Sequence, residues 1–288
     1  MTAKNVLVVG GAGGVGSALV NLLVERGSQV VATVLDPAEA AWLESRHGGL
    51  VTCHIVDLSD ANRALSKVRD IVSAIGTLDA VGVCAAIAPT GPTELTPLAA
   101  FRRSYEINCV SNVAIYQATL PALRKTGGRI VLLGSMAGRV AFTFMPAYVA
   151  TKFALEGLCD IMRREAEPQG VKVSLVQPGG IRTNLVYQQL IDLHRDYDAL
   201  NDDERRLYGR LYEGYTRVIE ASMSGNSSPP ELVAKVVLEA LEAEAPEPRY
   251  IAGQDAKEFL ASTNGMSDRR IDEIFARMFL GELGLLVR

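Results

Sequence analysis

Residues 6–23 read VLVVGGAGGVGSALVNLL, and the reading of this stretch decides the fold. Val6–Val9 is a β-branched run, Ser17–Leu23 is apolar at helical spacing, and the turn between them holds five glycines. Strand, glycine turn and helix, in that order, are what a phosphate-binding βα junction requires. Without Cβ atoms in the turn, a pyrophosphate can approach the backbone amides at the helix N-terminus. Two parses fit: G-x-G-x-x-G on Gly11, Gly13 and Gly16, or G-x-x-x-G-x-G on Gly10, Gly14 and Gly16. Glycines needed only for a tight turn would look the same, so the rest of the chain must supply context.

Working outward, short β-branched runs alternate with helical segments. The runs are QVVATVL (29–35), LVTCHIV (50–56), LDAVGVC (78–84), RIVLL (129–133) and VKVSLV (171–176). Helical periodicity fills DANRALSKVRDIVSAIG (60–76) and FRRSYEINCVSNVAIYQATLPALRK (101–125). Nearly continuous apolar strands imply burial on both faces, so the expected fold is α/β with a doubly wound parallel sheet. Gly27, Gly76, Gly127 and Gly170 each stand just before a strand, where a helix C-cap belongs. The pattern predicts one domain over 1–288, broken only by an irregular segment at 184–228.

Composition narrows the function classes. A chain of 288 residues, 48% apolar and 22% charged, fits an ordinary globular protein. A net charge of −4 offers no basic footprint for nucleic acid and no polybasic membrane patch. No apolar run approaches the roughly 20 residues that span a bilayer, and the opening MTAKNVLVVGG enters a strand too soon for a targeting peptide. Cys53, Cys84, Cys109 and Cys159 are scattered, as are His47, His54 and His194. That spacing predicts reduced thiols in a cytoplasm and no metal site.

The stretch YVATKFALEGL (148–158) places Tyr148 one helical turn ahead of Lys152. Taken alone, this pair is a packed ring and a solvated ammonium. Three further features stand around it: Ser135 in IVLLGSMAG, thirteen residues before Tyr148; Asn108 in YEINCVSN; and PGGIRT, with Pro178, Gly179, Ile181 and Thr183. Together with the glycine turn, these resemble the short-chain dehydrogenase/reductase family from about Asn5 to Thr183, with a weaker echo beyond. In that family the glycine turn takes the second parse.

The resemblance implies a Rossmann-type fold and a hydride transfer between a nicotinamide and a secondary alcohol or ketone. It makes Tyr148 the general acid–base, Ser135 the hydrogen-bond partner of the substrate oxygen, and Asn108 the anchor of a proton-supplying water chain. Lys152 would orient the nicotinamide ribose and draw the tyrosine, whose free pKa is near 10, toward neutral pH. Gly10, Gly14, Val15, Gly16, Ala85, Tyr148, Lys152, Pro178, Gly179, Ile181 and Thr183 would line the cofactor site. VDLSD would set Asp57 on the adenine amine with Leu58 beside it. Two departures stand out: Val9 replaces the usual threonine, and VCAA (83–86) replaces Asn-Asn-Ala-Gly, which puts bracing of the sheet and cofactor affinity in doubt.

For the cofactor, NAD is expected over NADP. No basic residue occupies the glycine turn or Val34–Leu35, and Asp36 lies 20 residues beyond Gly16, where a carboxylate can hold the ribose 2′-hydroxyl. Asp36 also precedes Pro37, where it could open a turn instead. The substrate lid should be 184–228, which holds five of the nine tyrosines and sets Leu207, Leu211, Tyr215 and Val218 on one helical face. Ser135, Val140, Phe142, Met145, Tyr148 and Tyr187 are the candidate substrate contacts. They point to a large apolar substrate, and PEPRYIAGQDAKEF (246–259) resembles the branch acting on hydroxysteroids and retinoids. A sugar-nucleotide epimerase or dehydratase of the extended branch, and a non-catalytic dinucleotide-binding sensor, stay open as alternatives. The family resemblance also implies a homodimer or homotetramer packed through 100–124 and 148–166, with Ala114, Ala118, Ala154 and Leu158 as seam candidates.

Overall fold

A computed structural model describes residues 5–225 and 227–281. The glycine turn links β1 (Asn5–Val9) to α1 (Gly14–Glu25), and the alternation continues through β2 (Gln29–Val34), α2 (Pro37–Ser45), β3 (Val51–Ile55), α3 (Ala61–Ile75) and β4 (Ala80–Val83). Next come α4 (Leu98–Tyr105), α5 (Ser111–Thr126), β5 (Arg129–Leu133), α6 (Pro146–Ala166) and β6 (Lys172–Pro178). The strands form one parallel sheet in the order β3-β2-β1-β4-β5-β6-β7, where β7 is Arg249–Ala252. The order reverses at β1, the chain leaving toward β2 on one side and β4 on the other. Ligand crevices of doubly wound sheets open at the carboxyl ends of the strands at such a switch point.

The double burial expected of the strands is visible within β1. Leu7 and Val9 face a core shared with α3, α5 and α6; Val6 and Val8 face a second core with α1 and with α9 (Pro230–Glu242). Gly27, Gly76, Gly127 and Gly170 all have positive φ, as helix-ending glycines should.

The helix expected at 101–125 is not one regular helix. α4 and α5 are joined by a wider π turn, Glu106–Val110, that carries Asn108 inward. Such a turn inserts one extra residue within an otherwise continuous helical run.

Beyond β6, α7 (Asn184–Asp198) and α8 (Asp202–Ser224) occupy the segment read as a lid. After β7, α10 (Gln254–Thr263) and α11 (Asp268–Leu280) return to pack on it. They form a third apolar cluster rich in aromatic rings, including Phe144, Tyr212, Tyr215, Phe275 and Phe279. The fully buried residues of α8 include Tyr212, Tyr215 and Ile219; of the expected face, Tyr215 is buried, Leu211 and Val218 pack partly on the cluster, and Leu207 is exposed. Gly214 lets α8 cross α11 closely, since a Cβ there would strike the Phe279 carbonyl. Among the described residues, no helix is long and apolar enough to cross a membrane.

Candidate active site

The glycine turn is held by the next strand. Gly10 N–H lies 3.1 Å from the Thr33 carbonyl and 3.2 Å from its hydroxyl, and Gly11 N–H donates to the same carbonyl at 2.9 Å. The close contacts favour the parse on Gly10, Gly14 and Gly16. A Cβ on Gly16 would overlap the Gly10 carbonyl oxygen; one on Gly14 would come 2.7 Å from Thr183 Cγ2; one on Gly10 would come 2.8 Å from Ala85 Cβ. Gly13 has room, its nearest neighbour 3.4 Å away. Gly11 is tight against Ala32 of β2 and Leu43 of α2, on the side away from the cleft, which it does not line. α1 opens with no acidic residue and no side-chain cap, so its first amides stay available to an anion.

From this turn a cleft of about 600 Å³ runs across the strand ends. One end is lined by Thr33, Leu35, Glu39, Asp57, Leu58 and Arg103. The Asp57 carboxyl is held below its ordinary range, chiefly by the Ser59 backbone N–H it accepts at 2.8 Å, with Arg103 adding to the effect. Asp36 is not in the cleft. It caps α2, accepting Glu39 N–H at 2.9 Å, because Pro37 starts the helix and leaves Asp36 at the N-cap. The carboxylate that faces the cleft here is Glu39, bonded to Leu35 N–H at 2.7 Å.

The other end gathers Ser135, Tyr148 and Lys152 with Pro178, Gly179, Ile181 and Thr183. Ser135 ends the β5 strand segment and accepts Ala137 N–H at 3.1 Å. Tyr148 and Lys152 share one face of α6; the ammonium sits 5.4 Å from the Tyr148 ring centroid and donates to the Leu133 carbonyl at 2.7 Å. Burial sets the charges. It raises the Tyr148 phenol above its usual pKa, with the Ser135 hydroxyl acting the other way, and pulls Lys152 down to about 8. Burial is thus the leading effect on both groups within the protein's own scaffold.

The Lys152 shift has a measurable sign. Between pH 8 and 10.5 the unfolded chain holds a proton on Lys152 that the folded chain has released. Stability should then rise with pH across that window by up to about 3 kcal/mol relative to Lys152→Met. Chemical denaturation of both proteins at pH 7.5 and 10 would measure it, and parallel curves would show that the ammonium is not desolvated.

Asn108, 1% exposed, lies behind the cleft and not in its wall. Its amide accepts Ile87 N–H at 2.9 Å and donates to the Ile87 carbonyl at 2.8 Å and Thr151 Oγ1 at 3.0 Å. The side chain expected to anchor water is thus engaged with protein, tying the segment after β4 to the catalytic helix. This supplies bracing where VCAA lacks the usual asparagines. Cys84 of that segment lies beside Lys152 yet stays a thiol, burial pushing it up to about 12.

Of the candidate substrate contacts, Phe142 and Met145 line the cleft beside Ser135 and Tyr148, and Val140 and Tyr187 do not. Val140 is buried in the aromatic cluster behind, and Tyr187 is 54% exposed, because the inward face of α7 is Leu185, Val186 and Gln189. Sequence reasoning missed Glu39, Gln189, Asp255 and Phe279 as cleft residues. Asp255 lay within the AGQDAKEF tail, which offered a signal; Phe279 offered none.

Comparison with known proteins follows the geometry. The family model for short chain dehydrogenases matches residues 4–192. The chain belongs to the short chain dehydrogenase family, a family of oxidoreductases. It is 29% identical to a 3-amino-tetrahydro-pyrrolizinone reductase from Xenorhabdus hominickii over 96% of each chain. It is 28% identical to the human 17-beta-hydroxysteroid dehydrogenase type 6, over 95% of this chain and 88% of that one. Within the family its likeness thus extends to the hydroxysteroid and retinol dehydrogenases. A solved short chain dehydrogenase from Burkholderia cenocepacia, in complex with NADP, shares the fold at a TM-score of 0.71 and 22% identity, over 96% of this chain and 97% of that one.

Proposed function

We propose that the protein moves hydride between a nicotinamide dinucleotide and a secondary alcohol or ketone borne on a large, mainly apolar substrate, steroid-like, retinoid-like or aryl. One observation carries the reading: a single cleft joins the glycine turn, the Ser135–Tyr148–Lys152 group and the apolar wall of Phe142, Met145, Tyr215 and Phe279. The residues fit a dinucleotide. Gly10, Gly14 and Gly16 leave no room for Cβ atoms, the first amides of α1 face the cleft uncapped, and Asp57 and Leu58 border its far end. The bound cofactor supplies or takes up the hydride. Ser135 holds the substrate oxygen, Tyr148 gives or takes its proton, and Lys152 orients the ribose beside them. The apolar wall excludes water from the reacting carbon. Nicotinamide absorbance at 340 nm, followed with a panel of apolar secondary alcohols and ketones, tests the reading; no turnover across the panel would overturn it.

NAD is the proposed cofactor, although the Burkholderia relative holds NADP. Glu39, in place of Asp36, sets the preference, since its carboxylate borders the end of β2 and would repel a 2′-phosphate. Glu39→Gln should tighten NADP binding by roughly tenfold or more while changing NAD binding by less than about threefold, on the order of one charge–charge contact near a surface. Calorimetric titration of both nucleotides checks this, and an unchanged ratio would move the discrimination elsewhere.

The protein is also proposed to assemble as a homodimer or homotetramer in a reducing cytoplasm. Of the seam candidates, Ala114 and Ala118 are buried in the monomer core and Leu158 packs partly against it. Exposed Val110 on the π turn and Phe153 and Ile161 on α6 add apolar surface along the same helices. Light scattering at micromolar concentration distinguishes an oligomer from a monomer.

A further inference from the structure

Asp255 stands in the first turn of α10 and borders the nicotinamide end of the cleft. One carboxylate oxygen accepts Gly180 N–H at 2.7 Å, in the loop Pro178–Thr183. The other, Oδ1, is buried and has no hydrogen-bond partner. Side chain and loop are in close contact: a Cβ on Gly179 would overlap the carboxylate, and one on Gly180 would meet Ser222 Oγ at 2.8 Å and Ser227 Oγ at 3.0 Å. Those two hydroxyls are hydrogen-bonded to each other at 2.7 Å. Arg182, on the same loop, spends its guanidinium on the Ser227 carbonyl. Among the described residues no ion pair joins Asp255; the Gly180 N–H and the amide dipoles at the start of α10 offset its charge.

Asp255 is part-buried, but its Oδ1 is a desolvated acceptor at the cleft wall, and an acceptor left without a partner is costly unless a donor or positive charge comes to meet it. We propose that Asp255 is a positioning residue that stabilises the oxidised, positively charged nicotinamide ring through the 178–183 loop. This rests on the dinucleotide reading above. As two electrons and one hydrogen pass as hydride to a carbonyl carbon, and Tyr148 gives its proton to the carbonyl oxygen, the ring is left cationic. A fixed carboxylate nearby favours that charge as it develops. The bound reduced cofactor becomes a stronger hydride donor, and the cleft is poised for carbonyl reduction.

Asp255→Asn separates this role from a structural one, because the amide oxygen can still accept Gly180 N–H while the charge is gone. Oxidised and reduced NAD are titrated separately by calorimetry into the wild-type protein, Asp255→Asn and Asp255→Ala, with melting temperatures measured alongside. The expected result for Asp255→Asn is an oxidised-form Kd weaker by about tenfold and a reduced-form Kd changed by less than about threefold. That ratio corresponds to roughly 30 mV in the potential of a bound two-electron couple. Asp255→Ala should weaken both forms, since the loop also loses its acceptor. An Asp255→Asn variant that binds with an unchanged ratio, or loses both forms equally, would overturn the electrostatic role and leave the dinucleotide reading standing. A wild-type protein that binds neither form would overturn both.

Discussion

Tyr148→Phe should lower turnover by roughly 10²–10⁴-fold, about 3–5 kcal/mol of barrier, the usual worth of a positioned acid–base. The substitution removes one oxygen and keeps the ring, which packs beside the Lys152 ammonium and Ser135. Dinucleotide affinity and melting temperature should therefore stay near the parent values. The raised pKa of the phenol sharpens the expectation. A buried phenol in its protonated form is ready to give a proton to a forming alkoxide, so the loss should be at least as severe for ketone reduction as for alcohol oxidation. If the variant turns over within a factor of about three of the parent, Tyr148 is a packing residue and the assignment fails.

Gly16→Ala should damage both the stability of the protein and its binding of a dinucleotide. The added methyl would fall on the Gly10 carbonyl oxygen and press on the Gly11 Cα at 3.1 Å, both backbone, so the whole βα turn has to move. Overpacking of this kind costs about 1–3 kcal/mol of stability. The amides that should meet the pyrophosphate move with the turn, so dinucleotide affinity should drop by roughly 100-fold, the order expected when aligned charge-assisted hydrogen bonds are lost. Gly13→Ala is the matched control. Its Cβ has room, its φ of −67° suits any residue, and it should melt and bind nearly as the parent does. Equal losses in the two variants would restore the Gly11–Gly13–Gly16 parse. Thermal melts and NAD titrations of both variants give the answer.

Much of this site was legible because it is local. Strand, glycine turn and helix follow one another, and Tyr148 and Lys152 lie one turn apart on a single helix, so spacing alone carries their geometry. Asp36 was misassigned because its distance from Gly16 is right for the ribose while Pro37 makes it a cap. That left Glu39 to face the cleft from the helix. The buried side of α8 is centred on Tyr212 and Tyr215 rather than reaching Leu207, because it is set by Phe144 and Phe279, residues far away in the chain. Asn108 was recognised, but its work was not: three hydrogen bonds to Ile87 and Thr151 exist only once the π turn has delivered it.

The close crossing of α8 and α11 bears on the order in which the protein comes into being. Most residues of the proposed dinucleotide half of the cleft, from Gly10 to Thr183, are made long before Phe279, which stands 144 positions after Ser135. Domains fold as their chain emerges, and contacts this distant in sequence form late. The cover that α9 gives to α1 and the aromatic wall around Tyr215 and Phe279 are therefore the later parts of the structure to form. On the function proposed above, the end of the cleft that would meet the substrate would be walled off from water only when α11 docks beside Tyr215.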